Sequence, residues 1–199
     1  MLLAIDTATA ACSVALFDGD QLIAERHELV GRGHAEKLLP MIEDLLGSRR
    51  PRAVLVDCGP GSFTGVRVGL AAAHGLAIGW EVPLAGYSSL ALLAAKVQES
   101  EMASALQAGH GELFVQTFGG DPLTPIDELR SLVPAEAARV ITARIVIGNG
   151  AETLVSRRGY GQAIDAIPRA GDVHLLPPLL RNLAPRPIYG RAPDAKPMP

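Results

Sequence analysis

Aromatic residues are scarce in this sequence: four Phe, three Tyr and one Trp make up 4% of its 199 residues. Proteins that bind single-stranded RNA stack the bases on aromatic side chains, so direct RNA recognition by this chain alone is disfavoured. Charge of one sign is also lacking, because 18 Lys and Arg are balanced by 21 Asp and Glu and leave a net charge of −3. A value so near neutral excludes a protein that coats nucleic acid or acts as a polyanion.

Cysteine and long apolar runs are nearly absent as well. Cys12 and Cys58 are the only cysteines, which favours a reducing, cytoplasmic setting over a disulfide scaffold. Residues 1–6 lack the basic region of a secretory signal, so we expect no signal peptide. The longest apolar helical stretch, residues 68–78, is shorter than the roughly 18 residues that a bilayer requires. We therefore expect no membrane insertion.

The sequence does contain enough apolar material for a substantial core. Hydrophobic residues make up 48% of the chain and the mean hydropathy is +0.23. Apolar runs and alternations predict strands at residues 2–5, 12–17, 21–28 and 53–58, and Asp18-Gly19 is a strong hairpin signal. Two hairpins in series, followed by a buried strand, predict an α/β fold with a mixed sheet.

Two predicted helices in the first half have faces suited to burial. Residues 35–46 place apolar side chains at helical spacing, and residues 64–80 place small residues three and four apart. Each face either covers the chain's own sheet or exceeds what its domain buries and binds a partner. The spacing favours neither interpretation. The residues concerned are Leu38, Leu39, Met41, Ile42, Leu45 and Leu46 in the first helix and Gly69, Ala72 and Ala73 in the second.

A glycine-rich loop joins the predicted strand 53–58 to the second helix. Such a loop presents backbone N–H groups at the positive end of a helix and is suited to an anion. It matches neither standard phosphate fingerprint, because Thr64 occupies the position of the third glycine and no Lys follows. Anion binding and a simple tight turn are both open. The candidate residues are Gly59, Gly61, Ser62, Thr64 and Gly65.

The first predicted turn carries a second candidate group. Asp6, Thr7 and Thr9 lie at the end of the first strand and the turn after it, where a carboxylate and two hydroxyls either hold phosphate oxygens together with a metal or satisfy backbone donors within the turn. The five histidines show no metal-ligand spacing and no cysteine pair supplements them. We predict no metal site and no catalytic residue.

The second half has weaker patterns. Strands are predicted at 103–106, 112–118 and 144–147, with a helix at 134–139. Proline is frequent from residue 177 onward, and we expect the last dozen residues to form an extended or disordered tail. The predicted division is an N-terminal subdomain over 1–100, a smaller C-terminal subdomain over 101–184 and a Pro-rich tail over 185–199.

Three segments together carry a family resemblance: residues 3–16, residues 34–46, and above all the Gly-Pro-Gly-Ser-Phe-Thr-Gly string that opens residues 59–69. They closely resemble the TsaB family, also called YeaZ. The match covers about the first hundred residues strongly and the rest in scattered places, such as residues 187–191. It implies two actin-like, ribonuclease-H-like (ASKHA) subdomains with mixed sheets flanked by helices.

The resemblance also implies a function. TsaB proteins are accessory subunits that bind and activate the enzyme TsaD, which adds threonylcarbamoyl to the adenosine beside the tRNA anticodon. The resemblance places the TsaD-binding helices in the N-terminal subdomain, includes TsaE as a further partner, brings in tRNA only indirectly, and implies a homodimer when TsaD is absent. No intrinsic cofactor is implied, and ATP or ADP would act at the level of the complex.

Two departures from the catalytic relatives imply that the chain is not an enzyme. Where TsaD has two metal-binding histidines, this sequence has Ser-Ser-Leu-Ala-Leu-Leu at residues 88–93. Family members also commonly have an Ile-Asp-Ala-Arg-like strand end in the second half, whereas residues 106–112 are Leu-Gln-Ala-Gly-His-Gly-Glu and lack that aspartate. The nucleotide site of the family would then be vestigial at Asp6, Thr7, Thr9 and the glycine loop.

Two other classes remain open on the sequence. A free-standing actin-like ATPase or small-molecule kinase would use Asp6, Thr7, Thr9 and the glycine loop. A dinucleotide-binding fragment would be built on Gly59 and Gly61.

Overall fold

The computed structural model describes residues 1–190. Its first sheet has the strand order β3-β2-β1-β4-β5. The strands are β1 (Leu2–Asp6), β2 (Ala11–Asp18), β3 (Gln21–Leu29), β4 (Ala53–Asp57) and β5 (Leu84–Tyr87). β1, β2 and β3 pair antiparallel, whereas β1, β4 and β5 pair parallel. The predicted mixed sheet with an antiparallel portion is confirmed.

Helices α1 (His34–Leu46) and α2 (Phe63–Trp80) cover one face of this sheet. Strand alternation sends Leu3, Ile5 and Val56 to that face, where they meet the apolar side of α1. The helix pair and the sheet therefore form one continuous core.

Of the two interpretations of the apolar face of α1, the structure supports the one in which this face covers the chain's own sheet. Leu39 is 52% exposed and Ala72 is half-buried, so these two residues do reach the surface. The other predicted partner residues are buried in the chain's own core, because the sheet lies directly beneath them. They are Leu38, Met41, Ile42, Leu45, Leu46, Gly69 and Ala73.

The second sheet has the order β11-β10-β6-β7-β8, with β9 pairing to β7. Helices α4 (Pro134–Val140) and α5 (Ala151–Arg158) pack beside it. Sequence patterns anticipated β6, β7, α4 and β10, and missed β8, β9, α5 and β11. The strands are β6 (Glu101–Gln107), β7 (Leu113–Gly119), β8 (Thr124–Pro125), β9 (Arg130–Leu132), β10 (Ile145–Ile147) and β11 (Gln162–Ile164).

Helix α3 (Ser89–Ala94) lies between the two sheets. All six of its residues are buried, and its leucines share a core with Phe17 of the first sheet and Phe118 of the second. A short 3-10 helix, Ala170–Leu175, returns to the first sheet, where the N–H of Ala170 donates to the hydroxyl of Ser13 over 3.0 Å. The two halves of the chain thus contact each other through α3 and through this 3-10 helix.

Residues 183–190 run along the open edge of the first sheet. Leu183 and Gly86 exchange backbone hydrogen bonds of 2.8 and 2.9 Å, and the N–H of Ile188 donates to the carbonyl of Cys58 over 2.8 Å. The part of the predicted tail that is described, residues 185–190, is therefore packed rather than disordered. Residues 191–199 lie outside the described residues.

Cys12 and Cys58 are both buried free thiols. Within residues 1–190, no helix is long and apolar enough to cross a membrane.

Close contact between α2 and the β1–β2 turn depends on glycine. A Cβ at Gly65 would overlap the carbonyl oxygen of Thr7, whereas a Cβ at Gly75 on the same helix would meet open space. The first position excludes any side chain and the second does not.

We therefore predict opposite effects from two identical substitutions in α2. Gly65→Ala should lower the free energy of unfolding by about 2 kcal/mol, because the helix must shift away from the turn. The matched control Gly75→Ala should raise it by roughly 0.5–1 kcal/mol, because alanine loses less backbone entropy in a helix. Urea denaturation of both variants tests this, and equal effects would contradict the close contact at Gly65.

Candidate functional site

The two sequence motifs of the first half meet at the carboxyl ends of β1 and β4. The hydroxyl of Thr7 donates to the carbonyl of Gly65 over 2.7 Å, and the N–H of Ser62 donates to the carbonyl of Ala8 over 2.7 Å. A Cβ at Gly61 would overlap that same Ala8 carbonyl oxygen. The glycine loop is therefore pressed against the β1–β2 turn, and its glycines permit this approach.

Ser62 caps the N-terminus of α2. Its Oγ accepts from the N–H of Gly65 over 3.2 Å, and its carbonyl accepts the N–H of Val66 over 2.9 Å. Part of the hydrogen-bonding capacity of the helix N-terminus is thus used within the chain. The positive end of the helix dipole still faces the adjacent cleft.

A cleft of about 720 Å³ opens between the two halves of the chain, with the start of α2 on one wall. Its mixed lining of polar and apolar groups is typical of a small-molecule site. The lining includes Thr9, Gly61, Ser62, Phe63 and Arg67 from the first half, Gln107, His110, Phe114 and Asn149 from the second, and Ile188, Tyr189 and Gly190 from the C-terminal segment.

Some of the predicted nucleotide-binding residues line the cleft, and others do not. Thr9, Gly61 and Ser62 line the cleft. Asp6 and Thr7 are buried beneath it. Of the remaining residues, Gly59 and Gly65 are buried in the loop and Thr64 is exposed. The motifs are adjacent as expected, and nucleotide binding by them stays a prediction.

An aromatic cluster at the mouth of the cleft was not anticipated. The guanidinium of Arg67 lies 3.5 Å from the ring centroid of Phe63 and donates to the hydroxyl of Tyr189 over 3.1 Å. The rings of Phe63 and Tyr189 are 6.1 Å apart. Phe63 and Arg67, four residues apart in a helix, form a pair visible in the sequence, whereas Tyr189 is 122 residues distant from Arg67.

Below the cleft, four polar side chains form a row across the first sheet. The strand registers pair Ser13 with Asp6 and Asp57 with Tyr87, and they place Asp6 and Asp57 beside each other on neighbouring parallel strands. Asp6 and Asp57 are 0% and 1% exposed. Sequence reasoning proposed Asp6 for its turn and took Asp57 as a strand residue.

Each carboxyl of this row has several donors. Asp57 accepts from the N–H of Gly59 over 2.7 Å and from the hydroxyl of Ser89 over 2.6 Å. Asp6 accepts from the N–H of Ala8 over 3.2 Å and from the hydroxyl of Tyr87 over 3.4 Å. Ser88 makes no side-chain cap hydrogen bond at the start of α3, and the hydroxyl of Ser89 donates to Asp57.

Burial controls the acidity of the groups around this row. It raises the pKa of both Asp6 and Asp57. Burial, reinforced by the two carboxyls, raises the pKa of Tyr87. Burial likewise raises the pKa of Cys12 to about 11 and that of Cys58 to about 12, so both thiols stay protonated at neutral pH.

Within residues 1–190, no three His, Cys, Asp or Glu side chains gather as metal ligands would.

Comparison with known proteins gives consistent matches. The model of the TsaD family, described as tRNA N6-adenosine threonylcarbamoyltransferase, matches residues 25–145. The tRNA threonylcarbamoyladenosine biosynthesis protein TsaB of Escherichia coli K12 is 41% identical over 129 residues, which are 60% of this chain and 55% of that protein. TsaB of Bacillus subtilis is 36% identical over 99 residues, 47% of this chain and 43% of that protein. The chain thus spans about half the length of the curated relatives it matches.

Solved structures match over nearly the whole chain. YeaZ from Pseudomonas aeruginosa is 30% identical with a TM-score of 0.80, covering 94% of this chain and 98% of that one. A second Pseudomonas aeruginosa structure, of a protein with similarity to peptidase YeaZ, has a TM-score of 0.82 at 29% identity and covers 96% and 99%. The predicted fold, two actin-like halves with mixed sheets flanked by helices, is confirmed.

Two neighbouring serines at α3 should differ sharply in importance. Ser89→Ala removes the 2.6 Å hydrogen bond to a buried carboxyl and should lower the free energy of unfolding by about 1–3 kcal/mol. Ser88→Ala, which removes no cap hydrogen bond, should change it by less than about 0.5 kcal/mol. Chemical denaturation of both variants checks this, and a loss at Ser88 as large as that at Ser89 would count against the assigned bond.

Proposed function

The chain belongs to the TsaB (YeaZ) family, and from this premise we propose that it takes part in the biosynthesis of threonylcarbamoyladenosine in tRNA. Its role is that of a non-catalytic subunit that binds the enzyme TsaD and activates it. The outward face of α2 is the observation that supports this role best.

That face carries almost no charge over about three turns of the helix. Ile78 is 77% exposed, and added side-chain atoms at Gly75 and Gly79 would meet open space. Exposed apolar and small residues on one helix allow a partner helix to approach closely. The face comprises Val68, Ala71, Ala72, Gly75, Ile78 and Gly79, with Arg67 and His74 at its side.

Helix α1 extends the same surface. It packs against α2 and exposes Leu39 and Pro40. The buried residues of α1, from Leu38 to Leu46, hold the helix on the sheet and act beneath the interface rather than in it. The proposed contact surface is therefore Leu39 together with the outward face of α2.

The absence of catalysis is also a proposal, and α3 supports it. This helix occupies the stretch where the resemblance places the metal-binding histidines of TsaD. The hydroxyl of Ser89 donates a hydrogen bond to Asp57, and the core buries Leu90, Leu92 and Leu93 completely. Side chains packed in this way are unsuited to hold a metal ion.

The complex as a whole requires further components. We propose TsaE and a threonylcarbamoyl-adenylate synthase as the other members, with ATP or ADP acting at that level and tRNA bound indirectly. Without TsaD, the same apolar surface would join two copies of this chain. The setting proposed is cytoplasmic.

Co-purification with TsaD from the same source tests the proposal. A stable complex whose tRNA threonylcarbamoylation depends on this chain, with no turnover by the chain alone, is the expected result. No complex, together with ATP hydrolysis by the isolated chain, would overturn the proposal and favour the actin-like ATPase or kinase, for which the cleft between the two halves is the supporting feature.

Charge placed on the proposed surface should abolish binding without unfolding the chain. Ile78→Asp and Leu39→Asp should each weaken the affinity for TsaD at least tenfold, because an unpaired carboxylate would be buried at the interface. Leu179→Asp is the matched control, since Leu179 is 80% exposed on another segment. Calorimetric titration measures the affinity, and thermal denaturation verifies the fold. Unchanged affinity in both surface variants would place the interface elsewhere.

A further inference from the structure

Asp6 and Asp57 are neighbours by strand register. β1 and β4 are parallel, and Ile5 pairs with Val56, so the next residues along both strands lie side by side on strands about 4.8 Å apart. Their side chains point to the same face of the sheet, toward α3. The register therefore places the two carboxyls next to each other on adjacent strands.

The surroundings of this pair contain no strong counter-charge. Neither carboxyl forms an ion pair with a described lysine or arginine. Tyr87 from β5 is the titratable group on the same side of the sheet as the pair. Cys12 and Cys58 lie in the core on the opposite side, where α1 carries His34. The Nε2 atom of His34 is already bonded to the carbonyls of Thr9 and Ala11, over 2.9 and 3.2 Å.

Of the four oxygens of the two carboxyls, three accept from a donor of their own, and the fourth, Oδ2 of Asp6, has only a donor that it shares. Three donors, the N–H groups of Ala8 and Gly59 and the hydroxyl of Ser89, are each directed at one carboxyl oxygen. The hydroxyl oxygen of Tyr87 is 3.1 Å from the carbonyl oxygen of Ile5 and 3.4 Å from Oδ2 of Asp6. Its single hydrogen therefore favours the carbonyl of Ile5. A proton between the carboxyls supplies the missing donor, whereas two adjacent buried carboxylates would repel each other in a medium that solvates neither.

We propose that Asp6 and Asp57 hold one proton between them in the folded chain at neutral pH, and that this proton locks the glycine loop, the β1–β2 turn and the start of α3 together. This device goes beyond the proposed subunit role and does not depend on it. The lock follows from the bonds already described: Asp57 holds Gly59 and Ser89, and Asp6 holds the N–H of Ala8.

The direction of the pH effect follows from burial. Because the folded chain raises the pKa of these carboxyls, it binds a proton that the unfolded chain releases above its ordinary value near 4. The stabilisation is complete below that value and is lost as the pH rises through the folded pKa. Over this window the pair makes the unfolding equilibrium constant rise tenfold per pH unit.

Asp57→Asn removes the titration of the pair. The asparagine amide donates to Asp6 and its oxygen accepts from Gly59 or Ser89, so one of the two bonds that Asp57 accepts is lost. Unfolding of the full chain is measured by urea titration at half-unit steps from pH 5 to pH 9. At pH values below the folded pKa of the pair, the wild-type unfolding constant should rise about one decade per pH unit more steeply than that of Asp57→Asn, and the two slopes should become equal above it. Asp44→Asn, a change at an exposed carboxyl paired with Arg26, should keep the wild-type slope.

Infrared spectroscopy provides a readout that does not require a variant to fold. A protonated carboxyl has a C=O stretch separate from that of a carboxylate, so the folded wild-type chain at pH 7 should show the band of one protonated side chain. Asp57→Asn and Asp6→Asn should both lose it. Equal pH slopes in wild type and Asp57→Asn over the whole range, or no protonated carboxyl band in the wild type, would overturn the proposal.

Discussion

The parallel pairing of β1 with β4 is the constraint on which the rest of the structure depends. Parallel strands bring their carboxyl ends to the same edge of a sheet, where α/β proteins build their sites. Here this pairing places the β1–β2 turn against the glycine loop. That contact fixes where α2 begins and forms the floor of the cleft. The same register sets two acids side by side beneath that floor.

The architecture was largely predictable because local signals agreed in the first half. Alternating apolar residues, the Asp18-Gly19 turn and the helical periodicity of residues 35–46 each specified an element that the structure contains. The family resemblance added what periodicity could not provide, namely the actin-like arrangement of two halves, and the comparisons confirm the family and the fold.

Other features could not be seen in the sequence because they depend on packing between distant segments. Periodicity identifies the apolar side of α1 but does not show that the sheet covers it. Buried residues such as Leu38 and Met41 are therefore candidates for a partner surface on the sequence alone. β8, β9 and β11 have two or three residues each, too few to show a period. Asp57 lay within an apolar run, and only the register with β1 shows that Asp6 is its neighbour.

Residues 183–188 close the edge of the first sheet, and this has a consequence for how the chain is made. Cys58 and Ala184, which meet at that edge, are 126 residues apart in sequence. Synthesis from the N-terminus proceeds at about 5–20 residues per second, so β5 would be complete for several seconds before its covering segment leaves the ribosome. During that interval the edge of β5 is open to pairing with other nascent chains. A chaperone that covers this edge would prevent such aggregation until residues 183–188 are synthesised.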